Sequence, residues 1–187
     1  RIQKELEKDI PKLEKEGYES TKLSPPISSK LSRINQAARS YQWDKEEMIK
    51  TFNYRKKNFG LERLKYIKKK IFPKRKKFKV LDLGCGSGYF ISVLKDKNIQ
   101  NKGIDLDNDR VNFCKTKKLN AHVSYLSDEK NNSYDLITMF DAIEHFFDPI
   151  QELKIAAKKL KSKSFILAYT PNINSLSFEL MRSDLNL

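Results

Sequence analysis

Cysteine is nearly absent. Cys85 and Cys114 are the only two in 187 residues, too few for a disulfide-stapled scaffold. Histidine is as scarce, at His122 and His145. No run of 18 apolar residues occurs and no signal-peptide pattern opens the chain, so no transmembrane segment is expected. A soluble, cytoplasmic protein is the expectation. Acidic charge is short in one half only. Residues 1–79 carry 24 Lys and Arg against 10 Asp and Glu, whereas residues 80–187 carry 14 of each. The whole surplus of +14 therefore lies in the first part, densest over residues 63–79, which hold ten basic side chains and no acid. Contact with nucleic acid or an anionic membrane is one reading of that surplus. A solvated helix face in a lysine-rich chain is the other, and the simpler.

Glycine is sparse too, with six in the chain, yet three fall within five positions. They stand in Val80-Leu81-Asp82-Leu83-Gly84-Cys85-Gly86-Ser87-Gly88, after an apolar strand signal and before a helix-like run. Gly84, Gly86 and Gly88 let a backbone turn sharply and pass close to a ligand. The helix that follows offers free N–H groups to a polar or anionic moiety. The next strand signal, over 101–104, ends at Asp105, 21 positions after Gly84. That is near the spacing of roughly 20 residues at which a second-strand acid meets a ribose hydroxyl. The G-x-G-x-G spacing departs from the dinucleotide fingerprint.

From residue 77 onward strand and helix signals alternate. Strands are predicted over 79–83, 101–104, 121–124, 136–140 and 164–169, and helices over 89–97, 109–117 and 149–160. Such alternation argues for a parallel sheet with helices on both faces. Upstream, helical patterning over 1–16 is interrupted by Pro11, residues 24–29 read as a breaker-rich linker, and 30–40 suits a short helix. Asp44 is placed to cap a helix over 45–59, Gly60 to separate it from a second over 61–71, and Pro73 to end that one. His122 falls on a strand expected to be buried and structural.

Residues 80–88, 103–107 and 134–149 (YDLITMFDAIEHFFDP) together resemble class I S-adenosylmethionine (SAM)-dependent methyltransferases. The branch they resemble includes the ubiquinone-biosynthesis O-methyltransferases and bacterial sugar and small-molecule methyltransferases. The resemblance implies an α/β, Rossmann-like three-layer sandwich over 77–187, behind a basic helical N-terminal extension and cap over 1–76. It also implies seven strands, the last two after Tyr169. With five counted before Leu187, a C-terminally truncated core is expected.

The resemblance implies roles for particular residues. Asp82 helps hold the amino group of the SAM methionine moiety; Gly84, Cys85, Gly86 and Gly88 let the backbone approach the cofactor. Asp105 accepts from the ribose hydroxyls and Leu106 lies against adenine. Tyr125 or Leu126 reads the adenine edge through backbone groups, and Phe140 and Asp141 border the methionine end. His145 is the candidate base for a hydroxyl acceptor, since imidazole titrates near neutrality; a packing or capping histidine is its plainer role. If the segment is helical, Asp141, Glu144 and His145 share a face and could hold a divalent metal, a reading ranked below the others. Tyr41, Trp43, Tyr54, Arg55, Asn172 and Ser175 are candidates for the acceptor side. The expected function is methyl transfer from SAM to a hydroxyl of a small-molecule or sugar-like acceptor. An RNA 2′-O- or other nucleic-acid methyltransferase, using the basic N-terminal region, and a non-catalytic SAM-binding protein are the alternatives.

Overall fold

A computed structural model describes residues 45–170 and residue 172. The expectations for 1–16, 24–29, 30–40, Tyr41, Trp43, the Asp44 cap and Ser175 lie outside the described residues. The compact unit that holds the sheet starts at Lys45.

Helix α1 (Lys45–Arg55) runs through a π-helical turn (Lys56–Gly60) into α2 (Leu61–Tyr66), and a second π turn (Ile67–Ile71) ends the segment. Gly60 does not break this helix, contrary to expectation. It has helical angles (φ −61°, ψ −44°), and its missing side chain serves packing. A Cβ there would lie 2.8 Å from Val93 Cγ2 on the neighbouring helix. Each π turn holds one residue more than an α turn and so rotates the face that follows by about 100°. Leu61 is exposed, while Gly60, Leu64, Ile67 and Phe72 are buried.

The alternating half folds as its pattern dictates: β1 (Lys79–Leu83), α3 (Tyr89–Asp96), β2 (Gln100–Asp105), α4 (Asn108–Thr116), β3 (Ala121–Val123), β4 (Tyr134–Phe140), α5 (Pro149–Lys159) and β5 (Leu160–Tyr169). Short 3-10 turns, Leu126–Asp128 and Ile143–His145, flank β4. All strand pairs are parallel and the order is β3-β2-β1-β4-β5. This is an α/β, Rossmann-like sheet. Central β1 and β4 read as apolar runs because both faces are covered. Val80, Leu136 and Phe140 face a core shared with α1 to α4, and Leu81, Leu83, Ile137 and Met139 face one shared with α5. β3 is an edge strand among the described residues, and His122 there is exposed, its ring bonded to Asn120 Oδ1 at 2.9 Å, rather than buried as expected.

Caps fix where helices begin. Asp107 accepts from the N–H groups of Asp109 and Arg110 to start α4, and Asp148 accepts from Gln151 N ahead of Pro149 to start α5. No helix among the described residues is long and apolar enough to cross a membrane.

Candidate active site

The carboxyl ends of β1, β2 and β4 meet at one place, beside the point where the strand order reverses. Between β1 and α3 the backbone takes left-handed angles at Gly84 (φ +71°), Gly86 (φ +54°) and Gly88 (φ +78°), which other residues adopt at a cost. The surroundings of the three differ. A Cβ on Gly84 would lie 2.7 Å from Ala142 Cβ, and one on Gly88 would lie 2.6 Å from Cys114 Sγ. These two glycines permit close packing of β4 and α4. A Cβ on Gly86 would meet nothing nearer than Arg110 Nη1 at 3.7 Å, an ordinary contact, so close packing does not require a glycine here.

Asp105 ties the loop to β2. Its Oδ2 accepts from Gly86 N at 2.7 Å and its Oδ1 from Asp107 N at 2.9 Å. A carboxylate accepts about four hydrogen bonds, so each oxygen keeps room for another donor. Gly84 N and Cys85 N both donate to Ile104 O, at 2.9 and 3.1 Å, closing the loop onto the same strand. Cys85 is buried under it. Its neighbour Cys114 and burial hold the Cys85 thiol well above its ordinary pKa, so it stays protonated. Leu106 is exposed on the rim next to Asp105, and so is Tyr125, while Leu126 is buried.

Asp82 is buried, 3% exposed, and accepts from Thr138 Oγ1 at 2.6 Å. Burial pushes its carboxyl up to about 7; the Thr138 hydroxyl and the Arg63 charge act the other way. Arg63, read in the sequence only as part of a basic run, reaches into this site from α2. Its Nη2 lies 3.5 Å from Asp141 Oδ2, and its Cζ stands over the Phe140 ring at 4.1 Å, with the Tyr89 and Tyr169 rings at 5.4 and 5.3 Å. Burial lowers its pKa despite Asp141 and Asp82. Its Nη1 is buried and has no hydrogen-bond partner among the described residues. Thr138, Tyr89 and Tyr169 were not anticipated either. A signal for Arg63 existed: it lies at helical spacing from Gly60, Leu64 and Ile67, a lone cation on the buried stripe.

Asp141 takes a left-handed φ of +53°, and its N–H donates to Tyr169 O at 2.9 Å. After that kink the chain forms a 3-10 turn that leaves Glu144 and His145 exposed. The helical face on which a metal reading of Asp141, Glu144 and His145 depended is not formed. Among the described residues no group of three His, Cys, Asp or Glu side chains is placed to hold a metal. The site thus gathers Asp82, the glycine loop, Asp105, Phe140 and Asp141 and adds Arg63, while His145 is exposed in the turn that follows β4.

The methyltransferase-domain family matches residues 52–185. The ubiquinone biosynthesis O-methyltransferase of Idiomarina loihiensis is 31% identical over 109 residues, covering 54% of this chain and 45% of that protein. The one from Hydrogenovibrio crunogenus is 28% identical over 159 residues, covering 80% and 63%. A crystallised SAM-dependent methyltransferase from Archaeoglobus fulgidus superposes with a TM-score of 0.53 at 28% identity, covering 72% of this chain and 64% of that one. The chain spans about half the length of most of the curated relatives it matches.

Proposed function

The chain belongs to the methyltransferase-domain family, within the class I SAM-dependent methyltransferases, and from that premise we propose that it transfers the methyl group of SAM to a hydroxyl of a small-molecule or sugar-like acceptor in the cytoplasm. The observation that carries this reading is the buried Nη1 of Arg63, unpartnered among the described residues, on a cation whose charge acts on the buried carboxyl of Asp82. A cation with a spare N–H and an acid, at the end of a glycine turn, suit the two charged ends of an amino acid. SAM has such an end. Arg63 would donate to its carboxylate, and Asp82 would accept from its ammonium. Asp105 would take the ribose hydroxyls on its free acceptor positions, Gly86 would leave room for the cofactor, and Leu106 would cover adenine.

SAM, when bound, supplies a methyl group already activated on a sulfonium. The protein's part is to align the acceptor and exclude water. Transfer to a hydroxyl would require the acceptor oxygen to give up its proton. His145, exposed at the rim, is our candidate to take it. The O-methyltransferase names of the ubiquinone-biosynthesis relatives support a hydroxyl acceptor. Against a nucleic-acid acceptor held by the basic region, Lys74, Arg75, Lys76 and Lys77 enter β1 at its amino end, while the glycine loop leaves its carboxyl end. A strand of that length separates the two by roughly 16 Å.

Calorimetric titration with SAM tests the cofactor assignment. Asp105→Ala should weaken binding about 10- to 150-fold, as loss of a charge-assisted hydrogen bond of ~1.5–3 kcal/mol requires. Unchanged affinity would refute the assignment. Transfer of labelled methyl to hydroxyl acceptors separates an enzyme from a silent SAM-binding protein.

A further inference from the structure

A threonine hydroxyl interrupts the side of β4 that otherwise presents Leu136 and Phe140 to the core. Thr138 is 0% exposed and is the strand-register partner of Asp82 on β1. Its single hydroxyl proton has two acceptors within reach, Asp82 Oδ1 at 2.6 Å and Leu81 O at 3.4 Å, and the shorter contact to the acid takes it. The acid does not help the fold. A carboxyl only 3% exposed, with no ion pair among the described residues, opposes folding, and the hydroxyl bond offsets only part of that cost. An apolar pair would pack this position more stably. The pair is therefore there for what Asp82 meets at the end of its strand.

We propose that Thr138 is a positioning residue for Asp82: its hydroxyl holds the carboxylate ionised and oriented to receive the ammonium of the cofactor, and so sets the pH range over which the cofactor binds. This rests on the reading of the site as a SAM site. Around Asp82 the charged and titratable groups are few. Arg63 comes from α2, with Asp141 behind it, Asp105 from the end of β2, and the Cys85 thiol from the loop. Arg63 favours the ionised acid, while Asp105 opposes it. Burial is the largest influence and raises the carboxyl to about 7, so the hydroxyl bond acts where the balance is decided. A protonated Asp82 offers no charge to an ammonium, so affinity must fall as the pH drops through that value.

The test is calorimetric titration of the full protein with S-adenosylhomocysteine, which keeps the amino-acid end and transfers nothing. The range is pH 5.5 to 7.5, below the values of about 7.7–8.0 at which α-amino groups lose their proton. Thr138→Val keeps the shape and removes the hydroxyl. Its deficit against the unmodified protein should be about tenfold at pH 6 and about threefold at pH 7.5, the pattern of a midpoint moved up by one pH unit. Thr138→Ser should restore the original profile. A deficit of equal size at every pH would mean that Thr138 only packs, and would overturn the proposal. So would a serine variant that behaves like valine. If the unmodified protein binds no S-adenosylhomocysteine at any pH, the cofactor reading itself fails, which is a separate outcome from a parallel pair of profiles.

Discussion

Arg63→Met should separate ligand affinity from stability, because the structure gives the guanidinium little to do for the fold. Its ion pair with Asp141 is long, 3.5 Å, and the acid's side chain is 36% exposed, so the pair contributes only ~0–1 kcal/mol. The stacked contact with the Phe140 ring at 4.1 Å adds a further ~1–2 kcal/mol. Against these stands the buried Nη1, whose lost hydration costs about 1–3 kcal/mol in the absence of a partner. The two sides cancel. Methionine fills much of the same space beside Tyr89 and Phe140 and needs no partner. Unfolding free energy from urea titration should therefore change by less than about 1 kcal/mol. Affinity should behave otherwise. Removal of a charge-assisted bond to a carboxylate, worth ~1.5–3 kcal/mol, should weaken S-adenosylhomocysteine binding about 10- to 150-fold. The same titration with adenosine, which has no carboxylate, should show little difference between the two proteins. A variant that loses several kcal/mol of stability, or that binds S-adenosylhomocysteine as well as before, refutes the reasoning.

The three loop glycines should respond differently to alanine. Gly88→Ala forces a left-handed angle and a methyl 2.6 Å from Cys114 Sγ and 2.9 Å from Leu119 Cδ1. It should cost about 2–4 kcal/mol in urea unfolding. Gly86→Ala makes no close contact and should cost only about 1–2 kcal/mol for its backbone angle, yet lose more cofactor affinity than stability. Asp82→Asn has a pH-dependent effect on melting. The folded-state carboxyl sits at about 7, above its ordinary 3.8, so the unfolded chain releases this proton first. Stability therefore declines as pH rises from about 4 to about 7 and stays lowered above that. Removing the acid should raise the melting temperature more at pH 8 than at pH 5; an equal shift at both would count against the buried acid. His145→Ala should lower turnover about 100-fold or more while S-adenosylhomocysteine affinity stays within about twofold. Equal turnover would remove His145 as the base.

Where one residue's chemistry decided its place, the sequence was informative. Three glycines in five positions imposed the loop, and the strand and helix alternation imposed the parallel sheet, with ends shifted by a few residues. Position-dependent properties were harder to read. Gly60 looked like a separator because glycine often ends helices, but it stands where α3 leaves no room for a side chain. His122 looked buried because it lies in a strand pattern; which strand forms an edge depends on order, which local sequence does not encode. The metal reading of Asp141, Glu144 and His145 assumed a helix, and the positive φ at Asp141 removes it. Thr138 was hidden because its value lies in the strand register with Asp82, a pairing across 56 residues.

The basic run over 63–79 shows how one segment can mislead as a unit. Its first member belongs to the site. Arg63 sits on the inward stripe of the helix, under the end of β4, among aromatic rings. By the end of that helix, roughly 12 Å further along its axis, Lys68, Lys69 and Lys70 are exposed. Arg75 then turns back to pair with Asp135 at 2.7 Å, joined there by Lys161 from β5 at 3.0 Å. That acid lies near the start of β4, at the opposite end of the sheet from Asp82. The run therefore divides into a half-buried cation at the site, one cation that joins Lys161 in neutralising a buried acid, and solvated lysines. A charge surplus read along the chain leaves a polyanion and a solvated helix face as its readings; placed on the fold, most of these charges are solvated, and Arg63 is the one our proposal gives to the carboxylate of a small zwitterion.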